Sequence, residues 1–204
     1  MKSAKLSLTL ALLCWTAACA GGSGDRAAAP ACQSEVDTLA GVAPAVGRDY
    51  LAPDGAFRVQ LPAGWTVESE THDGLTMTWL KGDRDAGMLL VMSSAGPPPT
   101  DDAGLQARYL EDGGKPLFGA WIDMMKEVGR VEGTGRVCQT RVKGTAAMRT
   151  NVTFYRGDAN DPRAGYGLFL FGPSRQFFFG LTGHDAGLRA AEAVLASLEL
   201  EPGR

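Results

Sequence analysis

The stretches that decide the fold of this chain are Leu168-Phe-Leu-Phe171 and, after a break at Gly172, Phe177-Phe-Phe179. Side chains of a strand alternate between the two faces of a sheet, so a strand with one face in water carries polar residues at every second position. Both stretches are apolar at every position. They therefore predict a hairpin of two strands that is covered on both faces.

Helices that can cover the hairpin are predicted on both sides of it in the sequence. Two helical segments follow the proline run that ends at Pro99, and Gly113-Gly-Lys-Pro116 separates them. The second segment is expected to end at Gly133 and Gly135, and a last helix is predicted for Asp185–Leu198. Four apolar residues share one face of the second segment: Leu117, Trp121, Met124 and Val128.

The other apolar patterns predict strands. Phe57–Leu61 and Leu75–Trp79 alternate with a period of two, and Gly87–Ser93 contains an apolar run typical of a strand buried on both faces. Val36–Val46 is interpreted as a weak helix or an ordered lead-in. Four further strands are predicted: Arg136–Val142, Ala146–Tyr155, Tyr166–Phe171 and Phe177–Thr182. The expected fold class is α/β, more narrowly α+β: a mostly antiparallel sheet covered by helices on both faces, an α/β/α sandwich.

Composition limits the class of protein. The chain has 204 residues, of which 45% are hydrophobic and 21% are charged, and its formal net charge is −3. These values exclude a disordered polymer, a collagen-like repeat and a basic protein that coats nucleic acid. We expect a signal peptide at residues 1–18, a lipid-anchored tether and lead-in at residues 19–49, and one globular domain at residues 50–204.

The N-terminus has the pattern of a secretory signal peptide. Lys2 and Lys5 precede Leu6–Ala18, an uncharged apolar run of 13 residues. A helix needs about 20 apolar residues to cross the bilayer core, so this run is too short to be a membrane span. A positive start, a short apolar run and small residues after it indicate export.

Two cleavage sites compete after this run. Ala18-Cys-Ala20 fits the ordinary signal peptidase, which would cut before Gly21, whereas Thr16-Ala-Ala-Cys19 resembles the lipobox of bacterial lipoproteins. In that family a diacylglycerol is attached to the cysteine, which becomes the N-terminus. Residues 20–31 are small and contain no large apolar residue, which is typical of a coil spanning about 20 Å and favours a tethered lipoprotein. The protein would then face the periplasm or the cell surface, on the outer membrane in preference to the inner.

The net charge of the mature protein indicates how it would attach to a membrane. Removal of residues 1–18 takes away Lys2 and Lys5 and leaves 18 basic against 23 acidic residues, a net charge of −5. An acidic domain is not attracted to anionic head groups, so attachment would depend on the acyl chains at Cys19. The same negative charge argues against a nucleic-acid partner.

Two cysteines remain after either cleavage. Cys14 leaves with the signal peptide, and Cys19 is either lipidated or removed, so Cys32 and Cys138 are left. An exported chain enters an oxidising compartment, and we predict a disulfide between them; two separate buried thiols are the alternative. A bridge that closes a loop of about a hundred residues would contribute up to ~4–5 kcal/mol to stability.

The sequence contains no recognisable metal site, and no metal or cofactor is expected. His72 and His184 are the only histidines, the first expected in a turn and the second before a helix. Asp158-x-Asn-Asp161 begins like a calcium-binding loop, but Arg163 and Phe169 stand where that loop needs a glycine and a glutamate. A hairpin loop is the simpler interpretation. The serines at positions 93, 94 and 174 lie outside any nucleophile motif.

The start of the predicted domain resembles a known family. Phe57-x-Val-x-Leu61-Pro-x-Gly64-Trp65 resembles the opening strand and Leu-Pro-x-Gly-Trp turn of PsbP/Mog1-like (DUF1795-type) domains, which are common in bacterial lipoproteins of unknown function. Ala193–Leu200 is similar to their closing helix, so the resemblance covers about Tyr50–Leu200. It implies the sandwich fold and a partner-binding role, since members bind a photosystem or the Ran GTPase. The matched positions are core and turn residues, so it implies no catalytic residue.

The expected function is that of an envelope-tethered, non-catalytic binding or scaffolding module with a protein partner. One alternative is a hydrolase whose site combines His184 and Asp185 with a distant serine. Another is a carrier of small apolar ligands, built around Trp121 and Met124–Met125 or around the phenylalanine-rich hairpin. Aromatic residues at strand or helix spacing more often belong to the core than to a ligand site.

Overall fold

The computed structural model of the chain describes residues 37–83, 87–96, 115–134, 137–156 and 162–201. They form two α-helices, α1 (Lys115–Val128) and α2 (Asp185–Ala196). The strands are, in chain order, β1 (Arg48–Leu51), β2 (Phe57–Leu61), β3 (Thr66–His72), β4 (Leu75–Lys81), β5 (Met88–Ala95), β6 (Gly129–Thr134), β7 (Cys138–Val142), β8 (Thr145–Arg156), β9 (Pro162–Phe171), β10 (Arg175–Gly183) and β11 (Glu199–Leu200).

The β9–β10 hairpin lies inside an eight-stranded sheet. The strand order is β3-β4-β5-β10-β9-β8-β6, and β7 pairs with β8 as well. The described pairings are antiparallel throughout. The length of β8, 12 residues, lets it hold β7 along one part and β6 along the other.

Helix α2 and a second sheet cover one face of the large sheet. The second sheet has the order β1-β2-β11, and β2 alternates buried and half-buried residues as its sequence predicts. The core between the layers is apolar, and burial of this kind contributes about 25 cal/mol per Å² of apolar surface. Its main members are Phe57, Val59 and Leu61 from β2, Ala191, Val194 and Leu195 from α2, and Leu168, Leu170, Phe177 and Phe179 from the hairpin.

Helix α1 covers the opposite face, where two glycines lie under two aromatic rings. Gly167 and Gly180 are directly opposite each other in the β9–β10 register. A Cβ at Gly167 would lie 3.0 Å from the ring of Phe118, and one at Gly180 would lie 2.5 Å from the indole nitrogen of Trp121. The ring of Phe178 contacts both aromatic residues, with centroids 6.0 and 5.5 Å away. The absence of two side chains therefore lets the helix approach the sheet.

The predicted fold class is confirmed: the sheet is mostly antiparallel and has helices on both faces. The predicted turn at Pro62–Trp65 is present, with Gly64 at a φ of +83°. Predicted strands and the last helix lie where expected, within a few residues at their ends. The first helical segment predicted after Pro99 lies outside the described residues, as does the loop of residues 157–161.

Two local expectations were wrong, and one strand was missed. The stretch expected to stay helical up to Gly133 ends its helix at Val128, and Gly129–Thr134 forms strand β6 beside β8. Glu199–Leu200, compared above with a closing helix, forms strand β11 and pairs with β2. Strand β3 was not predicted, because its residues are exposed and its sequence has no apolar alternation.

The buried side of α1 also differs from the predicted face. Its described buried residues are Phe118, Trp121 and Met125, while Met124 is only half-buried. Trp121 lies on both the predicted and the observed face, but the observed face contains Met125 where the prediction had Met124. The side that contacts the sheet is therefore rotated by about one residue from the predicted one. A helix pattern with apolar residues at neighbouring positions leaves that direction open, and packing decides it.

The lead-in before β1 joins the domain. Leu39 and Ala45 belong to the core between the layers. Asp37 forms a parallel bridge with Arg141 of β7, and the backbone N–H of Thr38 donates to the Arg141 carbonyl at 2.8 Å. These contacts make residues 37–47 an ordered lead-in with a turn rather than a helix.

Candidate functional site

A group of hydrogen-bonded polar side chains lies where the β9–β10 turn meets the β1–β2 loop. Asp54 in that loop accepts hydrogen bonds from Arg175 at 2.8 Å, from Ser93 of β5 at 3.3 Å and from the backbone N–H of Ala56 at 3.1 Å. The Arg175–Asp54 ion pair is largely shielded, with 24% and 22% of the two side chains exposed. We call Asp54, Ser93, Ser174, Arg175 and Glu201 the hairpin-end cluster.

Glu201 adds a second carboxylate to the hairpin-end cluster. It is buried, and it accepts hydrogen bonds from the hydroxyl and the backbone N–H of Ser174. Its backbone N–H donates to the Ala56 carbonyl at 2.8 Å, and its φ of +44° lies in the region that favours glycine. A strained residue of this kind persists only where the surrounding contacts hold it.

The chemistry of the hairpin-end cluster is that of a structural tie. The hydroxyls of Ser93 and Ser174 donate hydrogen bonds to carboxylates. The proton stays on each serine, which remains neutral. Activation of a serine needs a base that removes its proton, usually a histidine. The cluster therefore joins four segments of the chain without an assembled nucleophile.

A second polar group connects α2 with the large sheet. The buried hydroxyl of Tyr166 donates to Glu192 of α2 at 2.9 Å, and the guanidinium of Arg149 lies 4.0 Å from the centre of the Tyr166 ring. Burial, with Glu192 adding to it, raises the pKa of Tyr166 well above its usual value. Burial also lowers the pKa of Arg149, although Tyr166 and Glu192 act in the opposite direction. Tyr166 therefore stays protonated and serves as a hydrogen-bond donor.

The two histidines lie far from the serines that a hydrolase would need. His184 precedes α2 and follows Gly183, whereas Ser93 is paired with Phe177 at the other end of β10. Six residues of strand separate Phe177 from Gly183, about 20 Å. His72 ends β3, beside the predicted turn, and is two strands from Ser94, about 10 Å. Among the described residues, the structure therefore does not bring either histidine next to Ser93 or Ser94, as the hydrolase alternative would need.

The aromatic residues of the carrier alternative are core residues. Trp121 and Met125 belong to α1 and are buried between it and the large sheet, and the phenylalanines of the hairpin pack against the helices or each other. A cavity lies elsewhere, beside the β7–β8 turn. Its volume of 170 Å³ is smaller than the 300–1,000 Å³ usual for ligand pockets. Its lining residues are Val142, Lys143, Thr145, Leu170, Leu198 and Leu200.

The predicted lipidation and disulfide residues fall mostly outside the described ranges. Cys19 and Cys32 lie there, whereas Cys138 is the half-buried first residue of β7. Within the described ranges, no three histidine, cysteine or acidic residues are arranged to hold a metal ion. None of the described helices is long and apolar enough to cross a membrane.

The arrangement of sheets and helices defines the class of protein by its fold, which is PsbP-like. One solved structure that the chain resembles is the solution structure of cyanobacterial PsbP (CyanoP) from Synechocystis sp. PCC 6803, with a TM-score of 0.54 and 16% identity over 78% of this chain and 95% of that one. The expected resemblance is thereby confirmed at the level of the fold. A crystal structure of a protein from Bacteroides thetaiotaomicron aligns less well, with a TM-score of 0.43 and 14% identity over 76% of this chain and 49% of the other. No family model and no curated protein matches the chain.

Sequence reasoning did not find the hairpin-end cluster or the Tyr166–Glu192 pair. Asp54 and Arg175 are 121 positions apart, and no local pattern marks either residue. Tyr166 and Glu192 each fit an ordinary strand or helix pattern. One available signal was the placement of charged residues at loop ends, but loops carry such residues for solubility as well.

Proposed function

We propose that this protein is an envelope-tethered bacterial lipoprotein whose PsbP-like domain is a non-catalytic binding or scaffolding module. The observation that carries the proposal is the order of segments: a signal peptide, a lipobox-like Thr16–Cys19, a stretch of small residues and then the domain. The diacylglycerol at Cys19 would hold the domain at the membrane, and the acidic domain would remain in solution beside it.

The geometry supports binding in preference to catalysis. The described serines donate to carboxylates or lie about 10 Å or more from a histidine, so the residues of a serine hydrolase are not assembled. The polar groups that are assembled, the hairpin-end cluster and the Tyr166–Glu192 pair, hold elements together. A rigid sheet with exposed edges is suited to present a surface to a partner.

The proposal is tested by Cys19→Ser in the organism's own envelope, or in a heterologous bacterium that processes lipoproteins. The substitution removes the acylated thiol but keeps the Ala18-x-Ala20 pattern for the ordinary signal peptidase. We expect the wild-type protein in the detergent phase, labelled by a palmitate analogue, and the variant in the soluble fraction without label. Cys14→Ser is the matched control and should behave as wild type.

An intact mass that begins at unmodified Gly21 in the wild-type protein would refute the lipid anchor. The binding role is tested separately by crosslinking in the native envelope, with His184→Ala as a parallel strain. A partner that co-purifies equally with both proteins supports the module. If the purified protein instead hydrolyses ester or peptide substrates, and His184→Ala abolishes this without unfolding it, the binding role is wrong.

A further inference from the structure

Strand β3 leaves one edge of the large sheet open. It pairs with β4 on one side, and no described strand pairs with its other side. Six of its seven residues are exposed, and only Val67 is half-buried. The other described sheet edges are less available: β1 has four residues, β11 has two, β6 has a register shift beside β8, and β7 is bridged by Asp37.

The β3–β4 turn shows which backbone groups face the open side. Asp73 and Gly74 both have positive φ, 48° and 79°, which defines a two-residue turn of type I′. In such a hairpin the flanking pair, His72 and Leu75, exchange both hydrogen bonds, and hydrogen-bonded pairs then alternate along the strand. Because the register has no bulge, residues 66, 68, 70 and 72 bond to β4, and residues 67, 69 and 71 direct their N–H and C=O groups outward.

The charges of β3 disfavour pairing with a second copy of this chain. Glu68 and Glu70 lie on the same face of the sheet, where Lys81 of β4 pairs with Glu68 at 2.5 Å and the His72 imidazole lies 3.8 Å from the Glu70 carboxylate. Both contacts are exposed and contribute little, and the two carboxylates still outnumber the lysine. When two β3 strands pair antiparallel about a twofold axis, the two residue numbers of every opposed pair add up to the same even number. That sum identifies the register of the pairing. Each such register that pairs five or seven residues places a glutamate opposite a glutamate: 68 with 68, 68 with 70, or 70 with 70. Like charges directly opposite each other are destabilising, so β3 resists self-association.

We propose that β3 is a docking edge for an extended segment of a partner protein that carries basic side chains at alternate positions. Main-chain bonds to residues 67, 69 and 71 would supply affinity, as in other strand-addition complexes. A basic side chain opposite Glu70, which pairs with no described lysine or arginine, would supply selectivity, and one opposite Glu68 would compete with the exposed Lys81–Glu68 pair. On the other face the segment would meet Val67, Ser69 and Thr71. Val67 packs against the core, and the two hydroxyls are hydrogen-bonded within the protein, so small or apolar side chains suit this face. The inference names the partner class of the binding module and so rests on the proposed function.

The first measurement needs no partner. Amide hydrogen exchange of the released Cys19→Ser protein should show an alternating pattern along β3. The N–H groups of Glu68, Glu70 and His72 should be protected, and those of Ser69 and Thr71 should exchange at rates near those of an open chain. Protection at both Ser69 and Thr71 would show that their N–H groups are already bonded, and the open edge would not exist.

The second measurement uses peptides of alternating lysine and valine, long enough to span β3, and matched peptides of alternating glutamate and valine. In titrations followed by amide NMR shifts, the basic peptide should shift and protect residues 67, 69 and 71, and the acidic peptide should not bind. Thr71→Pro removes one outward N–H without removing a bond to β4 and should weaken binding about tenfold. Thr71→Ala is the matched control, because it loses the same hydroxyl but keeps the N–H.

Charge reversal keeps the test decisive if Thr71→Pro does not fold. Glu70→Lys should weaken the basic peptide and allow the acidic one to bind. The proposal is overturned if neither peptide binds, if both bind equally, or if the shifts fall on other strands. A soluble wild-type protein without lipid would refute the anchor while leaving these results unchanged, so failures of the two proposals are distinguishable.

Discussion

A methyl group added at Gly180 would enter the space that the Trp121 indole occupies. The added Cβ would lie 2.5 Å from the indole nitrogen and 3.0 Å from the adjoining ring carbon, whereas ordinary contacts begin near 3.4 Å. Trp121 is fully buried, and Phe178 lies 5.5 Å away by ring centroids. The indole would therefore have to move by about 1 Å in a packed layer, which usually costs about 1–3 kcal/mol.

The expected net effect of Gly180→Ala is a loss of about 1–2 kcal/mol in the free energy of unfolding. The cost of moving the indole is offset by ~0.5–1 kcal/mol, because alanine loses less backbone entropy than glycine on folding. Gly119→Ala is the matched control. Gly119 lies in α1 with open space around its Cα, so alanine there should stabilise the protein by about 0.5–1 kcal/mol.

The assay is urea unfolding followed by far-ultraviolet circular dichroism, which remains usable when a tryptophan is replaced. Trp121→Phe completes a double-mutant cycle with Gly180→Ala, since the smaller ring relieves the clash. The indole nitrogen has no hydrogen-bond partner among the described residues, so packing alone positions the ring. A Gly180→Ala protein as stable as wild type, or a cycle additive within ~0.5 kcal/mol, would refute the placement of Trp121 over Gly180.

Two further predictions concern stability. Tyr166→Phe removes the hydrogen bond to the Glu192 carboxylate and should cost about 1–2 kcal/mol, discounted because Glu192 is partly exposed. The raised pKa of Tyr166 contributes stability that is fully present below the unfolded pKa of about 10 and is lost as the pH rises beyond it. Wild-type stability should therefore fall more steeply than that of Tyr166→Phe above pH ~10, measured by urea midpoints. Thiol labelling of the denatured, unreduced exported protein should find neither Cys32 nor Cys138 reactive; two labelled thiols would contradict the bridge.

The placement of Asp37 supports the disulfide prediction. Its parallel bridge to Arg141 puts the start of the described lead-in beside β7, whose first residue is Cys138. Cys32 is five positions before Asp37, and an extended chain covers about 3.3 Å per residue, so it can reach that strand. Cys32→Ser should lower the free energy of unfolding by up to ~4–5 kcal/mol, the chain-entropy value for a loop of this length.

Local periodicity in the sequence was enough to define the layers. An apolar residue at every position of Leu168–Phe171 requires cover on both faces, and the alternation in Phe57–Leu61 requires cover on one. The helix at Asp185–Ala196 has its own apolar stripe. Helices predicted before and after the hairpin can provide this cover, so the fold class was predictable, whereas the second sheet that shares one face with α2 was not. The predicted signal peptide and lipobox in the first residues are likewise local patterns, which need no tertiary structure to be proposed.

Only the tertiary structure decided which residues meet. Register places Gly167 opposite Gly180 and so makes room for α1, whereas the sequence shows two isolated glycines in strands. Folding brings Asp54 into contact with Arg175, which is 121 positions away in the sequence, and no local pattern indicates that contact. Strand β3 was missed for the complementary reason: at an edge neither face is buried, so pairing with β4 holds it as a strand although its sequence is polar. Periodicity reports burial, and a strand at an exposed edge leaves no trace in it.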